Sequence, residues 1–216
     1  MTFDNDAFIR AHTLLTSPPA CPEIKLYLAT EITPLWQATE DFLQGSNLPP
    51  PYWAFPWVGG QALSRHVLDQ PELVRGKRVL DFAAGCGMTA IAAAMMGAKT
   101  SQAAEIDPVA AAAIALNAEA NGVMVDILLE DVLIRPDSPW DVVLAGDVCY
   151  ERPMAEKVFA WMRRCASAGI DIFVADPGRA YLPQTGLMKV AAYTIACSRE
   201  LEDRTSRDAV VYKVVG

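Results

Sequence analysis

The sequence is poor in the residues that mark metal centres and disulfide frameworks. It contains two histidines, His12 and His66, and five cysteines, at positions 21, 86, 149, 165 and 197. The histidines are not spaced as metal ligands and the cysteines form no C-x-x-C pair, so we expect no metal site. An odd, scattered set of cysteines is typical of reduced thiols, which leads us to expect a cytoplasmic location.

Positive charge is also scarce. The count of 18 Lys and Arg against 26 Asp and Glu gives a net charge of −8 at pH 7. Because proteins that bind nucleic acids generally present a basic face, this balance weakens a role as a general nucleic-acid binder. A small substrate, or a basic patch on a partner protein, suits an acidic chain better.

Long apolar segments are missing as well. The longest uncharged run, 82–98, is short for a membrane span and is broken by glycines, so it favours a buried helix. Asp4 and Asp6 come early, and no cationic start is followed by an apolar core, which argues against a secretory signal. With 216 residues, of which 52% are hydrophobic, we expect one soluble domain with a sizeable core.

The most informative stretch is 78–105. It predicts a strand ending near Asp81, a loop of small residues, a helix rich in alanine and methionine, and a second strand ending at Glu105. Gly85 and Gly87 permit backbone angles closed to other residues and let a ligand approach the main chain. The pattern D-x-A-x-G-x-G lacks the G-x-G-x-x-G spacing that binds a pyrophosphate, which argues against a nicotinamide oxidoreductase.

The charges around this loop point to a different ligand. Asp81 precedes the loop, where a carboxylate would repel phosphate and attract a cation. S-adenosylmethionine carries an ammonium and a sulfonium but no phosphate, and therefore fits better. Glu105 can accept hydrogen bonds from both ribose hydroxyls. Asp131 can accept one from the adenine amine, although a solvated loop carboxylate explains Asp131 equally well.

Residues 1–50 are predicted to form an N-terminal extension on the substrate or lid side of the main domain, 51–216. The expected elements there are a helix over 4–15, a strand over 24–30 and a short helix over 34–43. A cluster of chain breakers, 44–51, separates the extension from the domain.

Four aromatic residues follow that cluster: Tyr52, Trp53, Phe55 and Trp57. They can cover a bound adenine ring or pack in the core against the next helix. The two interpretations are equally good for Trp53 and Phe55, whereas the position of Trp57 favours the ligand site.

The rest of the chain alternates helix and strand patterns, which predicts a doubly wound α/β sheet. Further helices are expected over 61–68, 108–121 and 153–168, and further strands over 123–129, 140–146, 171–175, 189–198 and 208–215, the last two as an antiparallel hairpin. Asn117 and Asn121 share a helical face that we interpret as solvated surface. Acidic residues follow the strands at 81, 105, 131, 147 and 176, at the sheet edge where such folds bind ligands.

Three segments resemble class I S-adenosylmethionine-dependent methyltransferases: V-L-D-F-A-A-G-C-G at 79–87, A-E-I-D-P at 104–108 and D-V-V-L-A-G-D-V-C-Y at 141–150. The last contains D-x-x-Y, the signature of the seven-β-strand protein lysine methyltransferases. P-Y-W-A-F-P-W-V-G-G-Q-A-L at 51–63 and D-P-G-R at 176–179 are similar to the electron transfer flavoprotein β-subunit lysine methyltransferases and their bacterial relatives. This resemblance implies a Rossmann-like seven-stranded sheet of order 3-2-1-4-5-7-6 with the last strand antiparallel.

The resemblance also implies roles for single residues. Asp81 and the backbone from Ala83 through Gly85 to Gly87 hold the methionine part of the cofactor, with Ala83 standing where the family has glycine. Glu105 holds the ribose, while Asp131 lies near the adenine and Trp57 beside the cofactor. Asp147 and Tyr150 frame the incoming lysine.

Several functions stay open at this point. The expected activity is protein-lysine N-methylation, of the electron transfer flavoprotein β subunit or of a ribosomal protein. A nucleic-acid methyltransferase is disfavoured, because D-V-C-Y stands where N-P-P-Y or D-P-P-Y is usual. A scaffold that binds S-adenosylmethionine without catalysis is an alternative of another class. For Asp147, capping of the helix predicted from Pro153 is the structural alternative to catalysis.

Overall fold

The computed structural model describes residues 4–30, 50–135, 137–197 and 199–215. The helix predicted over 34–43 lies outside these residues, as does most of the breaker cluster at 44–51. Within the described ranges, no helix combines the length and the apolar character that crossing a membrane requires.

Strands and helices alternate through the main domain. The strands of the described chain are β1 (Leu14–Thr16), β2 (Leu26–Leu28), β3 (Arg78–Phe82), β4 (Thr100–Glu105), β5 (Asp126–Leu129), β6 (Val142–Gly146), β7 (Asp171–Asp176), β8 (Leu187–Ala196) and β9 (Ser206–Val214). Its α-helices are α1 (Asn5–His12), α2 (Val58–Asp69), α3 (Met88–Met95), α4 (Pro108–Ala120), α5 (Arg152–Ser167) and α6 (Arg199–Glu202).

Seven strands form the main sheet in the order β5-β4-β3-β6-β7-β9-β8. Strands β3 to β7 pair in parallel, and β9 pairs antiparallel with both β7 and β8. Counted from β3, this is the order 3-2-1-4-5-7-6 with an antiparallel last strand, so the predicted topology is confirmed. The final hairpin is also confirmed, and its linker contains the short helix α6.

Helices cover both faces of this sheet, as the apolar central strands require. On one face, Leu63 of α2 packs in a cluster with Leu144 of β6. On the other face, Phe159 of α5 packs in a second cluster with Ile172 of β7. Both faces are therefore sealed, and the carboxyl ends of the parallel strands form the edge left for ligands.

The helix predicted over 4–15 is wrong beyond His12. Thr13 has an extended backbone, with φ of −135°, and its hydroxyl donates to the carbonyl of Ile9 at 2.6 Å. This bond satisfies one of the carbonyls that a helix leaves free at its end. Leu15 consequently lies in strand β1, with 48% of its surface exposed, and does not join the apolar face of α1.

The interpretation of Asn117 and Asn121 as solvated surface is also wrong. Asn117 is completely buried, and its Oδ1 accepts a hydrogen bond from the backbone N–H of Tyr27 at 2.7 Å. Its Nδ2 donates to the carbonyl of Cys86 at 2.9 Å. Asn121 binds the backbone of Lys25 through both its side-chain oxygen and its nitrogen. Helix α4 thus fastens β2 to the main domain and to the glycine loop.

Candidate active site

The loop after β3 has the backbone of a ligand-binding turn. Ala83, Gly85 and Gly87 all have left-handed φ angles, of 52°, 54° and 74°. A Cβ on Gly87 would lie 2.9 Å from a methyl group of Ile114, so only glycine fits there. Ala83 adopts the left-handed conformation despite its Cβ, at a cost of about 1–2 kcal/mol relative to an ordinary conformation.

Glu105 closes this loop from the neighbouring strand. Its Oε1 accepts a hydrogen bond from the N–H of Gly85 at 2.9 Å, and its Oε2 accepts from the N–H of Ile106 at 2.9 Å. Burial raises the pKa of Glu105, while these backbone bonds act in the opposite direction. Oε2 also accepts from the N–H of Asp107 at 3.4 Å, whereas Oε1 retains acceptor capacity, so the side chain can receive a hydroxyl donor as well.

Asp81 lies beneath the loop. It is 2% exposed, and its Oδ2 accepts a hydrogen bond from the N–H of Ala90 at 2.9 Å. That N–H lies in the first turn of α3, where backbone N–H groups have no partner within their own helix. Burial raises the pKa of Asp81 well above its usual range. Asp81 therefore fastens the start of α3 to the end of β3.

The loop backbone also leaves space for a ligand. The nearest atom to a Cβ built on Gly85 would be the Cα of Trp53, 4.0 Å away. An open loop backbone beside a half-buried carboxylate suits a ligand with a ribose and a methionine tail. The residues present therefore fit S-adenosylmethionine.

Asp131 stands apart from this group. It is exposed, and its Oδ1 accepts a hydrogen bond from the N–H of Leu133 at 3.0 Å, which caps a short 3-10 helix, Val132–Ile134. The contact with adenine stays a prediction, and capping is the role visible for this side chain.

The aromatic segment divides into a buried pair and an open group. Trp53 and Phe55 are 3% and 2% exposed and belong to a cluster with α4. Trp57 is half-buried and donates its indole N–H to the carbonyl of Tyr52 at 2.8 Å. The Tyr52 ring lies 6.0 Å from the Trp57 ring and 5.8 Å from the Tyr150 ring. Tyr52 thus bridges the residues predicted for the cofactor and the substrate.

Asp147 follows β6 directly and has a left-handed φ of 57°. Its Oδ2 accepts a hydrogen bond from the N–H of Gly60 at 2.9 Å, in the first turn of α2. The alternative in which Asp147 caps the next helix is wrong, because α5 begins at Arg152 with Glu151 at its N-cap. Burial raises the pKa of Asp147 to about 6, although a neighbouring arginine lowers it.

Two glycine contacts that the sequence did not reveal make this arrangement possible. A Cβ on Gly59 would lie 2.6 Å from Oδ2 of Asp147 and 2.5 Å from the carbonyl oxygen of Ala175. A Cβ on Gly146 would lie 2.7 Å from the backbone nitrogen of Gly60. Helix α2 therefore approaches the tips of β6 and β7 so closely that side chains are excluded.

Arg179 and Glu202 are two further residues to which the sequence gave no role. Arg179 lies within D-P-G-R, and its Nη2 is 3.1 Å from Oδ1 of Asp147 and 3.0 Å from Oε1 of Glu202. Glu202 is 7% exposed and also pairs with Arg207. Asp176 positions the arginine by accepting its backbone N–H at 2.6 Å. The only signal in the sequence was the D-P-G-R tetrapeptide, because Glu202 lies in the linker of the predicted C-terminal hairpin.

Known proteins resemble this chain at two levels. The ribosomal protein L11 methyltransferase family profile matches residues 61–148. The electron transfer flavoprotein beta subunit lysine methyltransferase of Xenopus laevis is 39% identical over 95% of this chain and 85% of its own length. Its counterpart in Homo sapiens is 40% identical over 91% of this chain and 77% of its own length.

A solved structure extends the comparison to the fold. The magnesium protoporphyrin IX methyltransferase of Synechocystis, with bound S-adenosylmethionine, has a TM-score of 0.56 at 14% identity and covers 100% of this chain and 99% of that one. At this identity the likeness establishes the fold, whereas the identity to the curated relatives establishes the family. The chain therefore belongs to the electron transfer flavoprotein beta subunit lysine methyltransferases, and its cofactor is S-adenosylmethionine.

Proposed function

We propose that this enzyme transfers methyl groups to lysine side chains of the electron transfer flavoprotein β subunit. The observation that supports the proposal is the contact between the rings of Tyr150 and Tyr52. The pKa of the Tyr150 hydroxyl is raised by partial burial, with smaller contributions from Tyr52, Glu151 and Glu105. A lysine that reaches Tyr150 thus lies close to the residues proposed for the cofactor.

The cofactor half of the site consists of residues from two strand ends and the aromatic segment. The backbone of 83–87 and Asp81 would hold the methionine part, Glu105 the ribose and Trp57 one side of the molecule. Asp131 would lie near the adenine. When bound, S-adenosylmethionine supplies a methyl group activated by a positively charged sulfur.

The substrate half has to present a neutral amine. A free lysine side chain has a pKa of about 10.4 and is protonated at neutral pH. Desolvation of the amine against the rings of Tyr52 and Tyr150 would lower this pKa. Asp147 would accept a hydrogen bond from the amine and orient its lone pair. Much of the rate enhancement then comes from alignment of the two reactants.

Residues 1–50 are proposed to form an N-terminal extension on the substrate or lid side of the site. The Asn5 side chain donates to the carbonyl of Pro108 at 3.2 Å, close behind the Glu105 strand end. The Phe8 ring lies 6.5 Å from the Trp53 ring. Helix α1 therefore packs beside the residues that are proposed to bind the cofactor.

The decisive experiment is methylation of the purified β subunit with labelled S-adenosylmethionine, followed by mass spectrometry of the labelled peptides. We expect label on lysine, and loss of label when that lysine is replaced by arginine. Ribosomal protein L11 and a lysate from cells lacking the enzyme are tested in parallel. Label on another protein with none on the β subunit would reject this substrate, and no label anywhere would favour the non-catalytic scaffold.

The ribosomal protein alternative has narrower support. The L11 methyltransferase profile matches only residues 61–148, a range that contains the cofactor loop, Glu105 and Asp147 but not the aromatic residues at 52–57. The matched residues therefore support a shared cofactor site more strongly than a shared substrate.

A cytoplasmic location is proposed from the thiols. All five cysteines are free, and four of them are buried. Fractionation of the source cells, with detection of the enzyme by antibody, tests this location.

A further inference from the structure

The Asp147 carboxylate has partners on both of its oxygens. Oδ2 accepts from the N–H of Gly60 at 2.9 Å, and Oδ1 accepts from Arg179 Nη2 at 3.1 Å and from its Nε at 3.4 Å. The side chain of Asp147 is 10% exposed and that of Arg179 is 20% exposed. This is a partly desolvated ion pair, in which one charge strongly affects the other.

Charged and titratable groups face Asp147 from several elements. Arg179 comes from the loop after β7, Asp176 from the end of β7, and Cys149 from the loop of Asp147 itself. Behind Arg179, Glu202 of α6 binds both Arg179 and Arg207 of β9. Burial raises the pKa of Asp147, and the nearby charge of Asp176 raises it further. Arg179 and the N–H of Gly60 lower it.

A lone carboxylate in a lysine slot creates a chemical difficulty. An opposite charge within a few ångströms stabilises the ammonium form of lysine and raises its pKa. The ammonium has no lone pair and cannot attack a methyl group. A cation bound to the same carboxylate removes most of this effect, while the carboxylate still accepts a hydrogen bond.

We propose that Arg179 is a positioning residue that holds the Asp147 carboxylate and offsets its charge, so that the substrate lysine binds as a neutral amine. This rests on the proposed function, since it assumes that Asp147 faces the lysine. The lysine nitrogen first loses a proton to water. Its lone pair then forms the bond to the methyl carbon as the carbon–sulfur bond breaks and its electron pair passes to sulfur.

The C-terminal hairpin takes part in this arrangement through Glu202. This residue binds Arg179 on one oxygen and Arg207 on the other, so its own charge is shared between two arginines. Arg179 is thereby fixed between Asp147 and Glu202. Through Glu202, helix α6, which is distant in the sequence, holds the arginine cation at the tip of β6.

The test compares the pH dependence of kcat, at saturating β subunit and S-adenosylmethionine, for the full-length enzyme and two variants over about pH 6 to 10; kcat reports the pKa of the bound amine. In Arg179→Gln, the apparent pKa of the bound amine should rise by about one unit, with roughly a tenfold loss of kcat at neutral pH. Arg179→Lys keeps the positive charge and should restore most of the wild-type profile. Affinity for S-adenosylmethionine, measured by calorimetry, should stay unchanged in both.

Two controls separate this role from folding. Arg204→Gln removes a cation from an exposed position in the same hairpin and should leave the profile unchanged. Glu202→Gln removes an anion that shares Arg179 with Asp147 and should shift the profile in the opposite direction, to a lower pKa of the amine. If Arg179→Gln does not fold, the profiles of Glu202→Gln and Arg179→Lys decide.

The outcomes distinguish this role from the proposed function. If Arg179→Gln loses activity equally at every pH, or keeps the wild-type profile, charge compensation by Arg179 is wrong. If the wild-type enzyme methylates no lysine in the β subunit, the proposed substrate is wrong. The role of Arg179 is then decided without substrate, by NMR titration of the Asp147 carboxyl. Arg179→Gln should raise the pKa of that carboxyl, and an unchanged titration overturns the proposal.

Discussion

The carboxylate of Asp147 accepts a hydrogen bond from the backbone N–H of Gly60, which lies 87 positions earlier in the chain. The bond joins the tip of β6 to the first turn of α2. It places an anion at the start of a helix, where free N–H groups and the helix dipole favour negative charge. A single contact therefore fixes both the proposed catalytic side chain and the helix that follows the aromatic segment.

This contact predicts that Gly59 cannot carry a side chain. Gly59→Ala would place a Cβ 2.6 Å from Oδ2 of Asp147 and 2.5 Å from the carbonyl of Ala175. We expect a loss of about 1–3 kcal/mol in the free energy of unfolding, together with reduced methyl transfer. The matched control is Gly60→Ala, whose Cβ would have only the flexible end of Met88 within 4 Å, at 3.5 Å. Equal denaturation midpoints for the two variants would contradict the close approach of α2.

Glu105→Ala should weaken cofactor binding. It removes the acceptor proposed for the ribose hydroxyls and also the bond that holds the N–H of Gly85. Hydrogen bonds to charged groups contribute about 1.5–3 kcal/mol, which corresponds to a roughly tenfold to hundredfold rise in Kd. Calorimetry with S-adenosylmethionine measures the change. Glu105→Gln retains an acceptor and should lose less, whereas wild-type affinity in the alanine variant would remove Glu105 from the site.

Trp57 and Trp53 form a matched pair for separating function from packing. Trp57 is half-buried beside Tyr52, whereas Trp53 is 3% exposed in a hydrophobic cluster. Trp53→Ala should lower the free energy of unfolding by about 3–5 kcal/mol. Trp57→Ala should lower the melting temperature less and should weaken cofactor binding or turnover more. A Trp57→Ala enzyme with low stability but normal kinetics per folded molecule would place Trp57 in the core.

The strands of the sheet could be predicted because each is indicated by residues that are neighbours in the sequence. The apolar runs that become β3, β6 and β7 each end near an acidic residue, and that pattern survives in the structure at Asp81, Asp147 and Asp176. The family motifs then supplied the strand order. The end of α1 was missed because the sequence pattern did not reveal that the Thr13 hydroxyl bonds to Ile9 and stops the helix.

Contacts between distant segments were not predictable in this way. Asn117 looked like a surface residue because it shares a helical face with Asn121, yet it joins Tyr27 to Cys86 inside the protein. Arg179 meets Asp147 only after the sheet has formed, and Glu202 reaches it from a hairpin linker. A sequence pattern identifies which residues share a strand or a helix face, whereas these contacts depend on how the elements pack.

The ionisation of Asp147 should be visible in the pH dependence of stability. Burial raises its pKa in the folded protein from 3.8 to about 6, so the folded state binds the proton more tightly than the unfolded state does. Its contribution is present in full below about pH 4 and is lost as the pH rises through about 6. At about 1.36 kcal/mol per pKa unit, the loss is at most about 3 kcal/mol. Denaturant unfolding of wild type and Asp147→Asn at several pH values measures it, and parallel pH profiles for the two proteins would contradict it.

Asp147→Asn should also slow methyl transfer. The substitution keeps the size of the side chain and an acceptor for Gly60, but it removes the negative charge that is proposed to face the amine. Loss of a charge-assisted hydrogen bond, about 1.5–3 kcal/mol, slows transfer by roughly tenfold to a hundredfold. Affinity for S-adenosylmethionine should hardly change, because Asp147 is assigned to the substrate.

Asp141→Asn is the control, since Asp141 precedes β6 at the opposite edge of the sheet and pairs with Arg78. It should leave the rate unchanged. A normal rate in Asp147→Asn would reduce Asp147 to a structural link between α2 and β6. A collapse of cofactor binding would instead place Asp147 in the cofactor half and leave the lysine slot to be sought elsewhere around Tyr150.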